Sequence, residues 1–295
     1  MMVVANILVI VVTYNAMKWS ERCFSSLKTS SVPVDVFVVD NGSTDGTQVY
    51  IKNNYSDFIF HQSESNLGFG KANNLGLEYA IKNNYDYVYL LNQDAWIESD
   101  TIEKLLGIFS KTANLGILSP MQMNSSLTVL DNSFFFNLPK SFVNDSYLSS
   151  LKEYYDVDFV MAAHWMIPVS CLKKVGLFSS VFPHYGEDNN LVDRFHYWGY
   201  KVGISTDTKV VHDREFRDVP IEKKIYMLYI DTLIASCDIN KSMKSSFLKA
   251  IKFIIKMSLL SIKTCHFRKL SYILMYLVSV PKIISARSLF RKSYN

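Results

Sequence analysis

Leu90-Leu91-Asn92-Gln93-Asp94-Ala95-Trp96 closes an apolar and aromatic run that begins at Tyr85, and its abrupt change to three polar side chains decides how the chain is read. The run predicts a buried strand, and the polar triplet places one carboxylate, Asp94, at that strand's carboxyl end. Ligands of open α/β sheets collect at such ends, and a hard carboxylate oxygen there suits a divalent cation held against phosphate. Taken alone, the heptapeptide also reads as a strand followed by a polar turn.

Toward the N-terminus the pattern repeats. Asn6 to Val12 is a continuous β-branched run of the kind buried on both faces of a parallel sheet, and it ends in Thr13-Tyr14-Asn15. Helical spacing of Cys23, Phe24 and Leu27 leads through Pro33 to a second strand, Val34 to Val39. That strand stops at Asp40-Asn41-Gly42-Ser43-Thr44-Asp45-Gly46-Thr47, so a βαβ unit sets two polar strand ends side by side. A short strand, Phe58 to His61, precedes Asn66-Leu67-Gly68-Phe69-Gly70-Lys71 and a helix running to Asn84. These glycines either admit a ligand to the backbone or simply turn the chain into a helix; they match neither a P-loop nor GxGxxG.

Toward the C-terminus, Ile97 to Ser110 predicts a helix capped by Ser99 or Asp100, and Gly116 to Ser119 a strand stopped by Pro120. Residues 121–157 read as an irregular, aromatic-rich insertion facing a second substrate. The apolar segment Val157 to Val169 contains His164 and Trp165. Leu191, Val192, Phe195 and Trp198 then put Glu187 and Asp188 at a helix N-terminus, where the dipole favours acidic caps and equally keeps a general base ionised. Val210-Val211-His212-Asp213 ends a late strand.

Composition limits the alternatives. The chain has 295 residues, 49% of them hydrophobic, ample for a core and unlike a disordered protein. Four cysteines without a CxxC pair suggest neither a zinc ribbon nor a disulfide framework, hence reduced thiols and a cytoplasmic setting. Met1 to Val12 lacks a basic start and a cleavage site, and reads as a first strand and not a signal peptide. The net charge of +4 is unevenly placed: residues 241–295 hold twelve Lys or Arg and no acid, leaving 19 basic against 27 acidic side chains before them. An acidic body argues against nucleic-acid binding, and a basic tail for contact with an anionic surface.

Val12-Thr13-Tyr14-Asn15, Val38-Val39-Asp40-Asn41-Gly42-Ser43-Thr44-Asp45-Gly46, Asn66-Leu67-Gly68, Leu91-Asn92-Gln93-Asp94 and Glu187-Asp188, in this order and spacing, resemble the family 2 inverting glycosyltransferases. The similarity spans roughly residues 5–215 and is strongest to the bacterial rhamnosyltransferase-like enzymes of polysaccharide synthesis. It implies an α/β GT-A fold: a mostly parallel, Rossmann-like sheet flanked by helices. Residues 1–120 would bind the nucleotide-sugar, residues 121–240 would carry acceptor and base, and residues 241–295 would form a basic helical tail.

The resemblance also implies roles. Asp40 would accept a hydrogen bond from the donor's pyrimidine base, with Thr13, Tyr14, Asn15, Asn41, Asn66, Gly68 and Gln93 around the donor, and Lys71 would neutralise diphosphate. Asp94 fills the last place of the family's DXD motif and would ligate Mg²⁺ or Mn²⁺, with Asn92 in the first place near ribose and His212 completing the metal shell. Asp188, or failing it Glu187, would be the base for an acceptor hydroxyl. His164 and Trp165 fall where such enzymes shape the acceptor site, although their apolar neighbours suit a core role. The donor would be TDP-rhamnose or a UDP-hexose and the acceptor a saccharide, free or lipid-linked.

In the tail, Lys249, Lys252, Lys256 and Lys263 lie near one helical face, with Phe247, Leu248, Ile251, Ile254, Ile255 and Leu259 covering much of the rest. The next apolar run, Leu270 to Val280, ends at Pro281 after 11 residues. That is short of the roughly 20 a span requires, so the tail reads as lying in the plane of the inner membrane leaflet. It is otherwise a helical segment packed on its own body or on a partner subunit, a homo-oligomer. Two other functions share the fold features: a non-catalytic nucleotide-sugar-binding scaffold, and a nucleotidyltransferase, which normally has a glycine-rich basic loop where Thr13-Tyr14-Asn15-Ala16 stands.

Overall fold

The structure is a computed structural model and describes residues 5–214 and 219–294; Met1–Val4, the front of the apolar opening, lie outside the described residues. The chain runs β1 (Ile7–Thr13), α1 (Met17–Lys28), β2 (Asp35–Asp40), α2 (Thr47–Asn54), β3 (Ile59–Gln62), α3 (Phe69–Lys82), β4 (Tyr87–Asn92) and β5 (Ala95–Trp96). It continues with α4 (Thr101–Lys111), β6 (Leu115–Met123), α5 (Asn132–Phe135), α6 (Lys140–Tyr147), β7 (Tyr154–Asp156), β8 (His164–Pro168), α7 (Val169–Val175), α8 (Glu187–Tyr197) and β9 (Lys201–His212). Three long helices follow: α9 (Ile221–Cys237), α10 (Met243–Lys263) and α11 (Ser271–Phe290).

One nine-stranded sheet has the order β3-β2-β1-β4-β8-β6-β9-β5, with β7 paired to β9. The first four strands in that order are parallel. Beyond them the sheet is mixed, because β8 enters antiparallel to both β4 and β6, and β5 and β7 run antiparallel to β9. Consecutive residues of β1 go to opposite cores: Leu8 and Ile10 pack under α3, α7 and α8, while Ile7, Val9 and Val11 pack under α1, α2 and α4. Burial on both faces is why this strand is an uninterrupted apolar run. Parallel order also brings the carboxyl ends of β1, β2 and β4 to one edge, where their apolar residues give way to Thr13, Asp40 and Asn92.

Two proline readings are corrected. Pro120 does not stop β6, which continues to Met123; its missing donor is absorbed where the register against β9 shifts between Pro120 and Met121. Pro281 does not end the last helix either, since α11 runs through it to Phe290. The segment from Phe267 to Phe290 is therefore 24 residues, its most apolar 18-residue window has mean hydropathy 1.4, and it is long and apolar enough by length and composition to cross a membrane. Residues 121–157 are also more ordered than their composition predicts, forming α5, α6 and β7.

The last three helices share a core of their own, built on Ile225, Ile230 and Leu233 of α9, Ala250 and Met257 of α10, and Tyr276 and Ile283 of α11. Arg287, 1% exposed, fixes the end of α11 to the other two helices. Its guanidinium donates to the carbonyls of Ser236 (2.9 Å), Asp238 and Lys241 (2.8 Å) and to Ser246 Oγ (3.1 Å). On the outer side, Leu248, Ile251, Ile255, Leu259 and Ile262 of α10 and Leu274, Leu277 and Val278 of α11 stay exposed, with Lys252 and Lys256 among them.

Candidate active site

A cavity of about 620 Å³ opens at the shared strand edge, lined by Tyr14, Asn41, Asn92, Gln93 and Asp94 on the sheet side and by Asn66 to Phe69 and Pro183 to Tyr185 opposite. Behind it, at the end of β2, lies Asp40. That carboxylate is wholly buried and already filled by protein donors: Thr13 Oγ1 (2.9 Å), Ser43 Oγ, the amides of Gly42 (3.1 Å) and Ser43 (2.9 Å), and Gln48 Nε2 (2.9 Å). Asp40 and Thr13 thus organise the loop, and neither lines the cavity itself. The neighbouring Asn41 reaches the cavity in their place.

Around Asp40, short bonds join the predicted residues. Asn15, in the left-handed region (φ 52°), accepts the Thr44 amide at 2.8 Å and donates its own amide to Ser43 Oγ at 2.9 Å. Gln93 takes the Tyr14 amide at 2.6 Å and returns a bond to the Tyr14 carbonyl at 3.2 Å, holding the ends of β1 and β4 together. Gly68 caps α3 with φ 79°, and its amide donates to Asn66 Oδ1 at 2.8 Å. Lys71 stands exposed in the first turn of α3, outside the cavity wall.

Asp94 sits between β4 and β5, and β5 pairs Ala95 with His212 at the end of β9. His212 Nε2 lies 3.7 Å from Asp94 Oδ1. Burial is the main reason the Asp94 carboxyl titrates above its ordinary value, and burial, helped by the Arg214 charge, pushes the His212 imidazole down to about 3. His212 is thus neutral and able to offer a lone pair. Among the described residues no three His, Cys, Asp or Glu side chains are grouped closely enough to hold a metal ion alone. Asp94 and His212 are the pair that could hold a divalent cation, with its remaining ligands supplied by a diphosphate.

Asp188 lies in the first turn of α8. Its carboxylate accepts the Asn189 amide at 2.8 Å and lies near the Ala162 amide, while the adjoining Ala163 carbonyl accepts the Asn92 amide at 3.0 Å. Burial raises its pKa, which strengthens it as a base, and Arg214 lies near enough to oppose that rise at both Asp188 and Asp94. Arg214, tied to Ser133 Oγ at 2.9 Å, and His184 in the cavity wall were not singled out in the sequence. A cation directly after the His212-Asp213 strand end was the available signal.

Glu187, beside it, faces inward: it is 5% exposed, its Oε2 has no hydrogen-bond partner, and burial raises its carboxyl to about 7. A folded pKa above the ordinary 4.5 means that the contribution is complete below about pH 4.5 and lost as pH rises through 7. Glu187→Gln is expected to flatten this decline in urea-midpoint stability between those pH values. Asp193, also raised to about 7 by burial, leaves part of the slope in place.

His164 and Trp165 are wholly buried and do not reach the cavity, which corrects their place in an acceptor site. His164 bridges Tyr89 Oη and the Val211 carbonyl, both at 2.9 Å, and Trp165 Nε1 donates to the Val160 carbonyl at 3.1 Å. They tie β8 into the sheet.

A model of glycosyl transferase family 2 matches residues 8–175. The chain belongs to that family. This family 2 glycosyltransferase is 24% identical over 230 residues to the low-salt glycan biosynthesis hexosyltransferase Agl10 of Haloferax volcanii, covering 76% of the chain and 72% of that enzyme. It is 32% identical over 122 residues to the N-acetylglucosaminyl-diphospho-decaprenol L-rhamnosyltransferase of Mycobacterium tuberculosis, 38% of the chain and 40% of that enzyme. Across its curated relatives the chain spans from 16% to 72% of their length, and under half of all but the Haloferax enzyme. The mannosyltransferase PcManGT of Pyrobaculum calidifontis, solved with GDP-Man and Mn²⁺, superposes with TM-score 0.60 at 15% identity over 96% of this chain and 86% of its own. The glycosyltransferase therefore has the GT-A fold.

Proposed function

We propose that this glycosyltransferase moves a sugar from a nucleoside-diphosphate donor, of the TDP-rhamnose or UDP-hexose type, to a hydroxyl of a saccharide acceptor, with inversion, in building a bacterial surface polysaccharide. The observation that supports the reading is that Asp188 lies close to the Ala162 amide and to Arg214, whose charge also reaches Asp94, while the next residue, Ala163, accepts the amide of Asn92 at the strand end beside Asp94. In this reading a base and a diphosphate-facing carboxylate serve the same strand edge. Asp188 takes the proton of the acceptor hydroxyl as its oxygen forms a bond to the anomeric carbon, and the bond from that carbon to diphosphate breaks in the same displacement. Asp94 and His212 would hold a divalent cation, Mg²⁺ or Mn²⁺, which neutralises charge on the departing diphosphate. Arg214 adds positive potential beside both carboxylates, Asn41 and Tyr14 line the donor's cavity, and Lys71 is close enough in sequence to Gly68 to meet the diphosphate from the rim.

A thermal-shift panel of TDP-, UDP- and GDP-sugars with and without Mn²⁺ tests this. Saturation at about 100 Kd adds about 2.7 kcal/mol to native-state stability, so the true donor raises the melting temperature and does so most with Mn²⁺. A panel in which no nucleotide-sugar shifts the melt would overturn the assignment.

We further infer that the tail docks in the plane of an anionic membrane, presenting a lipid-linked acceptor to the cleft. The buried Arg287 within α11 supports docking over spanning, because it binds four groups of α9, α10 and their connection. The exposed apolar rows flanked by Lys252 and Lys256 suit the headgroup boundary. Co-sedimentation with phosphatidylserine vesicles should be lost on combining Ile251→Asp, Ile255→Asp and Leu259→Asp. Unchanged binding would remove the membrane reading.

A further inference from the structure

Asp131 reaches the site from the segment whose sequence shows no pattern. It is 5% exposed and doubly anchored: Oδ1 accepts the Phe134 amide at 2.9 Å as the cap of α5, and its own amide donates to the Gln122 carbonyl at 2.9 Å. The other oxygen, Oδ2, lies 3.7 Å from His212 Nδ1, a fully enclosed nitrogen without a hydrogen-bond partner. On the far side of the ring, Nε2 lies 3.7 Å from Asp94 Oδ1. The two separations match, but the surroundings differ: the side chain of Asp94 is 25% exposed, that of Asp131 4%.

From this line of three groups we propose that Asp131 is a positioning residue that keeps His212 as its Nδ1–H tautomer, so that the Nε2 lone pair faces Asp94 and the cleft; the inference rests on the metal-assisted reading above. A neutral imidazole has one N–H, and the tautomer is set by what the other nitrogen meets. With the proton on Nε2, the enclosed Nδ1 lone pair would oppose the lone pairs of a carboxylate, two acceptors with no donor between them. With the proton on Nδ1, the N–H instead faces the Asp131 carboxylate. A carboxylate behind a metal-binding imidazole is the arrangement that orients the ring and raises its basicity. The β9 end and α5 are held in register for this by the Arg214 Nη1 bond to Ser133 Oγ at 2.9 Å and by the Asp213 amide bond to the Asp94 carbonyl at 2.7 Å.

The test uses the full, metal-free chain labelled with ¹⁵N-histidine, the His212 ring being assigned by its disappearance in His212→Gln. The expected spectrum shows a pyrrole-type Nδ1 and a pyridine-type Nε2. Asp131→Asn keeps an oxygen for the α5 cap but turns an NH₂ donor toward Nδ1, so the two signals should exchange. Titration with Mn²⁺ in the presence of UDP, followed by its paramagnetic resonance signal, should then show about a 10–100-fold weaker site. A wild-type ring protonated at Nε2 overturns the proposal, and so does an Asn variant with the wild-type ring pattern. Should the variant not fold, the wild-type spectrum decides alone. Failure of the wild type to bind Mn²⁺ with UDP present would instead overturn the metal-assisted reading, with the ring spectrum still deciding the tautomer.

Discussion

Asp188→Asn is expected to lower turnover by about 10²–10⁴-fold, the usual worth of a positioned general base, while donor affinity stays at the wild-type level. The amide keeps the size of the side chain and can still accept the Asn189 amide, so the helix start should survive. Its loss is confined to proton removal. Single-turnover transfer at saturating donor, with donor binding measured separately, isolates the effect. A fall of less than about tenfold would move the base to Glu187, against the structural expectation that an enclosed carboxyl with an unpartnered oxygen cannot reach an acceptor.

Asp94→Asn is the second large effect. The substitution is isosteric and removes one charge from a motif in which Asn92 and Gln93 already carry none. Cation-assisted stabilisation of a leaving group is worth several kcal/mol, and each 1.36 kcal/mol is tenfold in rate, so transfer should drop by roughly 10²–10⁴-fold. The Mn²⁺-dependent part of the donor's thermal shift should disappear with it. Transfer at the wild-type rate by this variant would exclude the metal-assisted mechanism.

The strand ends were legible because parallel strands buried on both faces leave unbroken apolar runs, and such runs stop visibly at Thr13, Asp40 and Asn92. What a strand end does with its side chain was less legible. Asp40 occupies the place the family motif predicts, but five local donors turn its carboxylate inward, a consequence of the Gly42-Ser43 turn and of Gln48 one element later. Prolines were over-read as breakers: a register shift absorbs Pro120, and the packing of α9 to α11 carries Pro281 inside a helix. His164 and Trp165 sit in a continuous apolar segment with only their own polarity to suggest a ligand, and both found partners within the sheet. Asp131 carried no signal, since its partner is 81 residues away and only the end of β9 gives it meaning.

Helix α8 carries the proposed base in its first turn and Arg194 two turns later. Arg194 is 1% exposed, donates to the carbonyls of Val175 (3.0 Å) and Leu177 (2.5 Å), and lies 4.6 Å beneath the Phe290 ring at the end of α11. A single rigid rod therefore connects the reaction centre to the segment proposed to rest on lipid. Truncating the tail would strip the cover from a buried guanidinium on the same rod that aims Asp188. A shortened protein would then report altered chemistry as well as altered location, and only point changes on the outer rows of α10 and α11 can separate the two.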